Sequence, residues 1–84
     1  MKRYAAQIDL SWKILGLTTH FLPVAISNWL HERNIHYCYV GHSTSGNIKD
    51  GHSHYNLSNG DKEDYMIFKL MFPGCRVNVF QYHD

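Results

Sequence analysis

No stretch of this 84-residue chain approaches the roughly 18 apolar residues that a membrane-spanning helix requires. Met1-Lys2-Arg3 has the basic start of a secretory leader, but Gln7 and Asp9 interrupt any apolar core behind it, so a cytosolic location is expected. Cysteine is scarce. Cys38 and Cys75 lack the CxxC spacing of a zinc ribbon or redox pair, and each reads as a small buried hydrophobe in or beside a strand. A dominant charge is missing too: eight Lys and Arg against seven acids leave a formal net charge of +1. That balance argues against a dedicated nucleic-acid binder and equally against an acidic nucleic-acid mimic. Repeats, low-complexity tracts and linkers are absent, and residues 1–84 read as one domain. No motif for a cofactor is present, and none is expected.

Seven histidines are the unusual surplus. Protonating all of them would carry the formal charge from +1 to +8, so surface histidines would make behaviour strongly pH-dependent below neutrality. Hydrophobic residues make up 44% and aromatics 14%, enough for a packed core and too much for disorder.

Alternation is nearly strict from Tyr4 to Ile14. Tyr4, Ala6, Ile8, Leu10, Trp12 and Ile14 point one way, and Ala5, Gln7, Asp9, Ser11 and Lys13 the other. Period two over this length predicts an antiparallel strand with one buried and one wet face. A helix is predicted over Leu22 to Arg33, with Pro23 in its first turn, Leu22, Ile26 and Leu30 on one stripe, and Asn34 closing it in a left-handed cap. Ile35 to Val40, His52 to Ser58, Asp64 to Phe72 and Cys75 to Tyr82 read as four more strands. Asn59-Gly60 has the form of a type I′ hairpin turn. The expected fold is α+β: a twisted antiparallel β-sheet of four to five strands with one α-helix packed on a face, in the order β-α-β-β-β-β. One short helix, ~10–12 Å across, leaves part of such a sheet uncovered. Exposed apolar area of that kind marks an association surface, so a protein partner, including a second copy of the chain, is expected.

The polar stretch from Gly41 to Asp64 carries His42, His52 and His54, and long polar loops inside compact domains are usually functional. The expected partner-binding residues are His42, Asn47, Lys49, Asp50, His52, His54 and Tyr55, with a host complex as the partner. His52 and His54 lie two apart and project from one face of a strand, a workable start for a metal site. Convergence of a third and fourth ligand is not specified, and no metal is expected. Tyr37, Tyr39, Phe68 and Phe80, with Lys13, Lys69 and Arg76, would offer stacking platforms and phosphate contacts. The charge balance and the missing RNP-type aromatic pattern make direct nucleic-acid binding the less expected mode.

Gly51-His52-Ser53-His54-Tyr55 resembles the Gly-Ser-His strand of HicA-type toxins, with Ser and His transposed. That resemblance implies a small ribonuclease in which His52 or His54 is general acid or base. His42-Ser43-Thr44 resembles the His-x-Thr element of two-histidine phosphoesterases, which need a second copy that this chain lacks. In size, build and absence of catalytic motifs, the chain resembles the small phage and mobile-element inhibitors of anti-CRISPR type. This last resemblance implies a non-enzymatic, stoichiometric inhibitor or regulator that blocks a docking site on a host nucleoprotein or defence complex.

Overall fold

The computed structural model describes residues 4–15, 22–44 and 51–81. Chain order is β1 (Tyr4–Ser11), a single turn α1 (Trp12–Leu15), α2 (Val24–Glu32), β2 (His36–Ser43), β3 (His52–Gly60), α3 (Lys62–Met71) and β4 (Cys75–Gln81). The four strands form one antiparallel sheet in the order β2-β3-β1-β4. With α1 set aside as a one-turn extension of β1, this is the β-α-β-β-α-β arrangement of two split βαβ units, called ferredoxin-like.

The alternation read over β1 holds: Ala6, Ile8, Leu10 and Trp12 are buried. They face Tyr55 and Leu57 of β3 and Cys75 of β4. Ile26 and Leu30 of α2 and Tyr65 and Phe68 of α3 complete this core cluster. Each large apolar side chain removed from water here contributes roughly 1.5–3 kcal/mol. Trp12 closes one end, its indole N–H donating to Ser53 Oγ at 2.7 Å and its backbone N–H to the Gly51 carbonyl at 3.0 Å. The indole lies where a Cβ on residue 51 would be, so only glycine fits there.

Helix α2 lies within its predicted span, running Val24–Glu32 with Pro23 as its N-cap and Leu22 ahead of it. Asn34 takes φ 56°, its N–H donates to the His31 carbonyl at 3.1 Å, and Ile35 N–H donates to the Leu30 carbonyl at 3.0 Å. These are the two hydrogen bonds of a Schellman cap, with the buried Ile35 supplying the apolar contact.

The segment predicted as a fourth strand is helix α3, so the order β-α-β-β-β-β is corrected to β-α-β-β-α-β. Asp61 decides the start. Its side chain accepts from Asp64 N–H at 2.9 Å, and Asp64 Oδ2 accepts from Asp61 N–H at 3.2 Å, a reciprocal capping box. Tyr65 and Phe68 are then three apart on the buried face, with Phe72 packed behind them. Asn59-Gly60 makes no hairpin. Strand β3 runs through Gly60, and the register slips by one residue between Tyr4↔Gly60 and Ala6↔Leu57. Asn59 takes φ 74° inside that bulge, and its Nδ2 donates to the Asn34 carbonyl at 3.1 Å. The second helix also corrects the expectation of a half-covered sheet, because α2 and α3 share the core face.

Candidate functional site

With both helices on one side, the other face of the sheet carries β1 residues Ala5, Gln7, Asp9 and Ser11 and β3 residues His52, His54, Asn56 and Ser58. The pairings Asp9↔His54 and Asp9↔Arg76 place these three side chains in one row across β3, β1 and β4. Among the described residues no element packs over this open face.

His54 is fixed at both ring nitrogens. Its Nδ1 lies 2.6 Å from Asp9 Oδ1, and its Nε2 lies 3.1 Å from Ser43 Oγ. Asp9 and His54 are each about a quarter exposed, dry enough for the contact to persist and wet enough for a ligand to reach the ring. A carboxylate on Nδ1 holds the imidazole in one orientation and directs Nε2 outward.

Ser43 reaches His54 because of a bulge. Tyr39 pairs with Tyr55, and the next pair is Gly41 with His54, so Val40 is an extra residue in β2. Simple alternation would set Ser43 on the side of Tyr37 and Tyr39, toward the helices. The added residue reverses the parity and turns Ser43 to the open face, while His42 goes to the helix side. Gly41 takes φ 156°, which L side chains rarely adopt, although open space lies where its Cβ would be. Its role is in the backbone.

Beside this relay, Asp9, Ser11, Ser43, His52, His54 and Arg76 line a groove of about 540 Å³, closed at one end by the Pro73-Gly74 turn. His52 and His54 sit two residues apart on one strand face, about 7 Å from backbone to backbone. Arg76 is exposed at the opposite wall. The groove thus brings together two imidazoles, one oriented by a carboxylate, a guanidinium and two hydroxyls. No family model, no curated protein and no solved structure matches this chain. Geometry and chemistry therefore carry the functional argument alone.

The residues expected to bind a partner divide between two faces. His52 and His54 lie in the groove. His42 sits at the sheet edge on the helix side, with Nδ1 2.8 Å from Tyr39 Oη and its ring 5.9 Å from Trp12. Tyr55 is in the core, 4% exposed, its phenol pushed up by burial and by the neighbouring Tyr39 and Tyr37. Asn47, Lys49 and Asp50 lie outside the described residues. Of the aromatics considered as stacking platforms, Phe68 is fully buried on α3, and Tyr37 and Tyr39 face the helix side. Phe80, opposite Ala5, is on the open face. Asp9 and Ser43 were not among the expected site residues, and Arg76 was expected only as a phosphate contact beside the aromatic platforms. Asp9 was legible as a wet-face residue of the first strand, but its pairing with His54 depends on strand order.

Among the described residues no three His, Cys, Asp or Glu side chains gather to hold a metal ion. No described helix is long and apolar enough to cross a membrane.

Proposed function

We propose that the chain is a small RNA-cleaving enzyme acting at the Asp9–His54 groove. The observation that carries this reading is the imidazole of His54, held by Asp9 on Nδ1 and within hydrogen-bond reach of a hydroxyl on Nε2. His52 supplies a second proton carrier on the same face, and Arg76 a positive charge at the wall. In the reaction, one imidazole takes the proton of a ribose 2′-hydroxyl. The 2′-oxygen attacks phosphorus, and the P–O5′ bond breaks. The second imidazole gives its proton to the departing 5′-oxygen, leaving a 2′,3′-cyclic phosphate and a 5′-hydroxyl. Arg76 faces the charge that grows on the phosphoryl oxygens.

Asp9, His54 and Ser43 also have the connectivity of an acyl-transfer relay. The phosphodiester reading is preferred because a second imidazole and a guanidinium share the groove, and acyl transfer needs neither. A fluorogenic RNA oligonucleotide tests it. The wild type is expected to cut RNA and spare the all-2′-deoxy analogue. His54→Ala and His52→Ala should each lose about 100-fold or more, with unchanged circular dichroism. Ser43→Ala should keep most of the activity, and its complete loss would transfer the role of nucleophile to Ser43. A wild-type protein no faster than buffer would end the proposal.

A second reading, the stoichiometric protein-binding inhibitor or regulator, draws support from a different surface. Met66, Leu70 and Met71 on the outer side of α3 are 59%, 82% and 57% exposed. Large apolar residues grouped on one helix favour association with a protein or with a second copy of the chain. Light scattering on the wild type and on Leu70→Lys separates the cases. A dimer that Leu70→Lys makes monomeric assigns this surface to self-association.

A further inference from the structure

The open face has a second recess, at the far end from the relay. It measures about 410 Å³, within the roughly 300–1,000 Å³ of small-ligand sites. Phe80 pairs with Ala5, and His36 with Ser58, and these four residues, drawn from all four strands, line the recess where the bulge interrupts the β1–β3 ladder. Side chains are large at the two edges and small over the two central strands. The result is a notch with a ring at each wall and a floor of methyl and hydroxyl groups. Its edges stand three strand spacings apart, about 14 Å from backbone to backbone.

Phe80 is 53% exposed and, among the described residues, is the one Phe, Tyr or Trp on this face. Between the notch and the relay lies a row of amides, Asn56–Gln7–Asn78, in register on β3, β1 and β4. Three successive rows therefore offer, in order, proton transfer and positive charge, amide donors and acceptors, and an aromatic surface. Adjacent rows are two residues, about 7 Å, apart. An apolar peptide would find only Phe80, Ala5 and the Cys38 side chain to pack on, and a purely phosphate ligand would leave the aromatic wall unused. A planar heterocycle with a polar edge uses all of it: its face stacks on Phe80, and its edge reaches the Asn56 amide, which both donates and accepts.

We infer that this notch is a nucleobase subsite, holding a base further along the single-stranded RNA from the scissile phosphate. The inference rests on the RNA-cleaving reading and adds to it the residues that set sequence preference. Phe80 is the stacking surface, and Asn56 reads the base edge.

The test uses a 2′-O-methyl tetranucleotide, which cannot be cleaved, with its affinity for the full chain measured by fluorescence anisotropy. Phe80→Ala is expected to weaken binding about tenfold and Phe80→Trp to restore it. Removing that base from the oligonucleotide should weaken wild-type binding at least as much, and Phe80→Ala binding far less. Asn56→Ala should change the ranking of the four bases. Equal affinity of wild type and Phe80→Ala, or indifference of the wild type to the abasic ligand, overturns the subsite. If the wild type then still cleaves RNA, the catalytic reading survives alone. If it binds in a base-dependent way yet does not cleave, the subsite stands and the catalytic reading falls. If it neither binds nor cleaves, both fall.

Discussion

Tyr65 shows how much one buried hydroxyl can hold. Fully enclosed in the core, it accepts from Gly60 N–H at 3.1 Å and donates to the Tyr4 carbonyl at 2.7 Å, joining the end of β3 to the start of β1. Tyr65→Phe keeps the ring and removes both bonds. It should cost about 1–3 kcal/mol in a urea titration, because two backbone groups lose a partner where water enters poorly. The two thiols differ in the same physical terms. Burial pushes Cys75 up to about 11, whereas Cys38 is exposed. Iodoacetamide at pH 7.5 should label Cys38 in the native protein and reach Cys75 only in denaturant. The thiol of Cys75 also bears on alkaline stability. Below its ordinary value of 9.0 both folded and unfolded chains keep the proton, and from there to about 11 the unfolded chain releases it first. The unfolded state then binds fewer protons, so stability falls as pH rises through that window. Urea midpoints at pH 8 and pH 10.5 should show that fall, and Cys75→Ala should reduce it.

At the scale of elements, β1 and α2 were legible because one period governed each and the flanking residues agreed. Ile8 and Leu10 alternate inward, and Ile26 and Leu30 share one stripe closed by Asn34. Helix α3 was misread because Asp64-Tyr65-Met66-Ile67-Phe68-Lys69-Leu70-Met71-Phe72 is apolar at both periods. Its β-prone aromatics pulled toward strand, while the signal that decided the matter stood just before it in Asp61 and Asp64. An acidic residue with a second one three positions later is a helix start, and here it outweighs the β-propensity of Tyr65, Ile67 and Phe68. Asp61→Ala should therefore cost about 1 kcal/mol, read as a lower thermal midpoint. Asp64→Ala should cost at least as much, because Asp64 Oδ1 also accepts from Arg33 at 3.1 Å and ties α3 to α2. For the site, the histidine pair and the wet-face Asp9 were visible in the chain. Their meeting was not, because it requires β1 to lie beside β3, and the approach of Ser43 requires a bulge in β2. Alternation within a single segment specifies neither.

The molecule as a whole divides its labour between the sheet faces. Helices and core occupy one, and the polar rows of the groove, the amides and the notch occupy the other. Foldedness and chemistry should therefore be separable. Phe80→Ala, at an exposed position, is expected to melt within a few degrees of the wild type while losing base binding, and His54→Ala, which removes the part-buried contact to Asp9, to melt somewhat lower yet stay folded while losing cleavage. The bulge at Val40 sets a different kind of vulnerability. A substitution scan would score position 40 as nearly silent, since its side chain is 53% exposed and the site uses none of its atoms. Were Val40 paired directly against His54, plain alternation through β2 would send Ser43 toward the helices and bring His42 round to the open face, whereas deleting that codon would leave both where they are. What the site depends on there is which residue of β2 stands opposite His54, a property of strand register and not of the side chain at position 40.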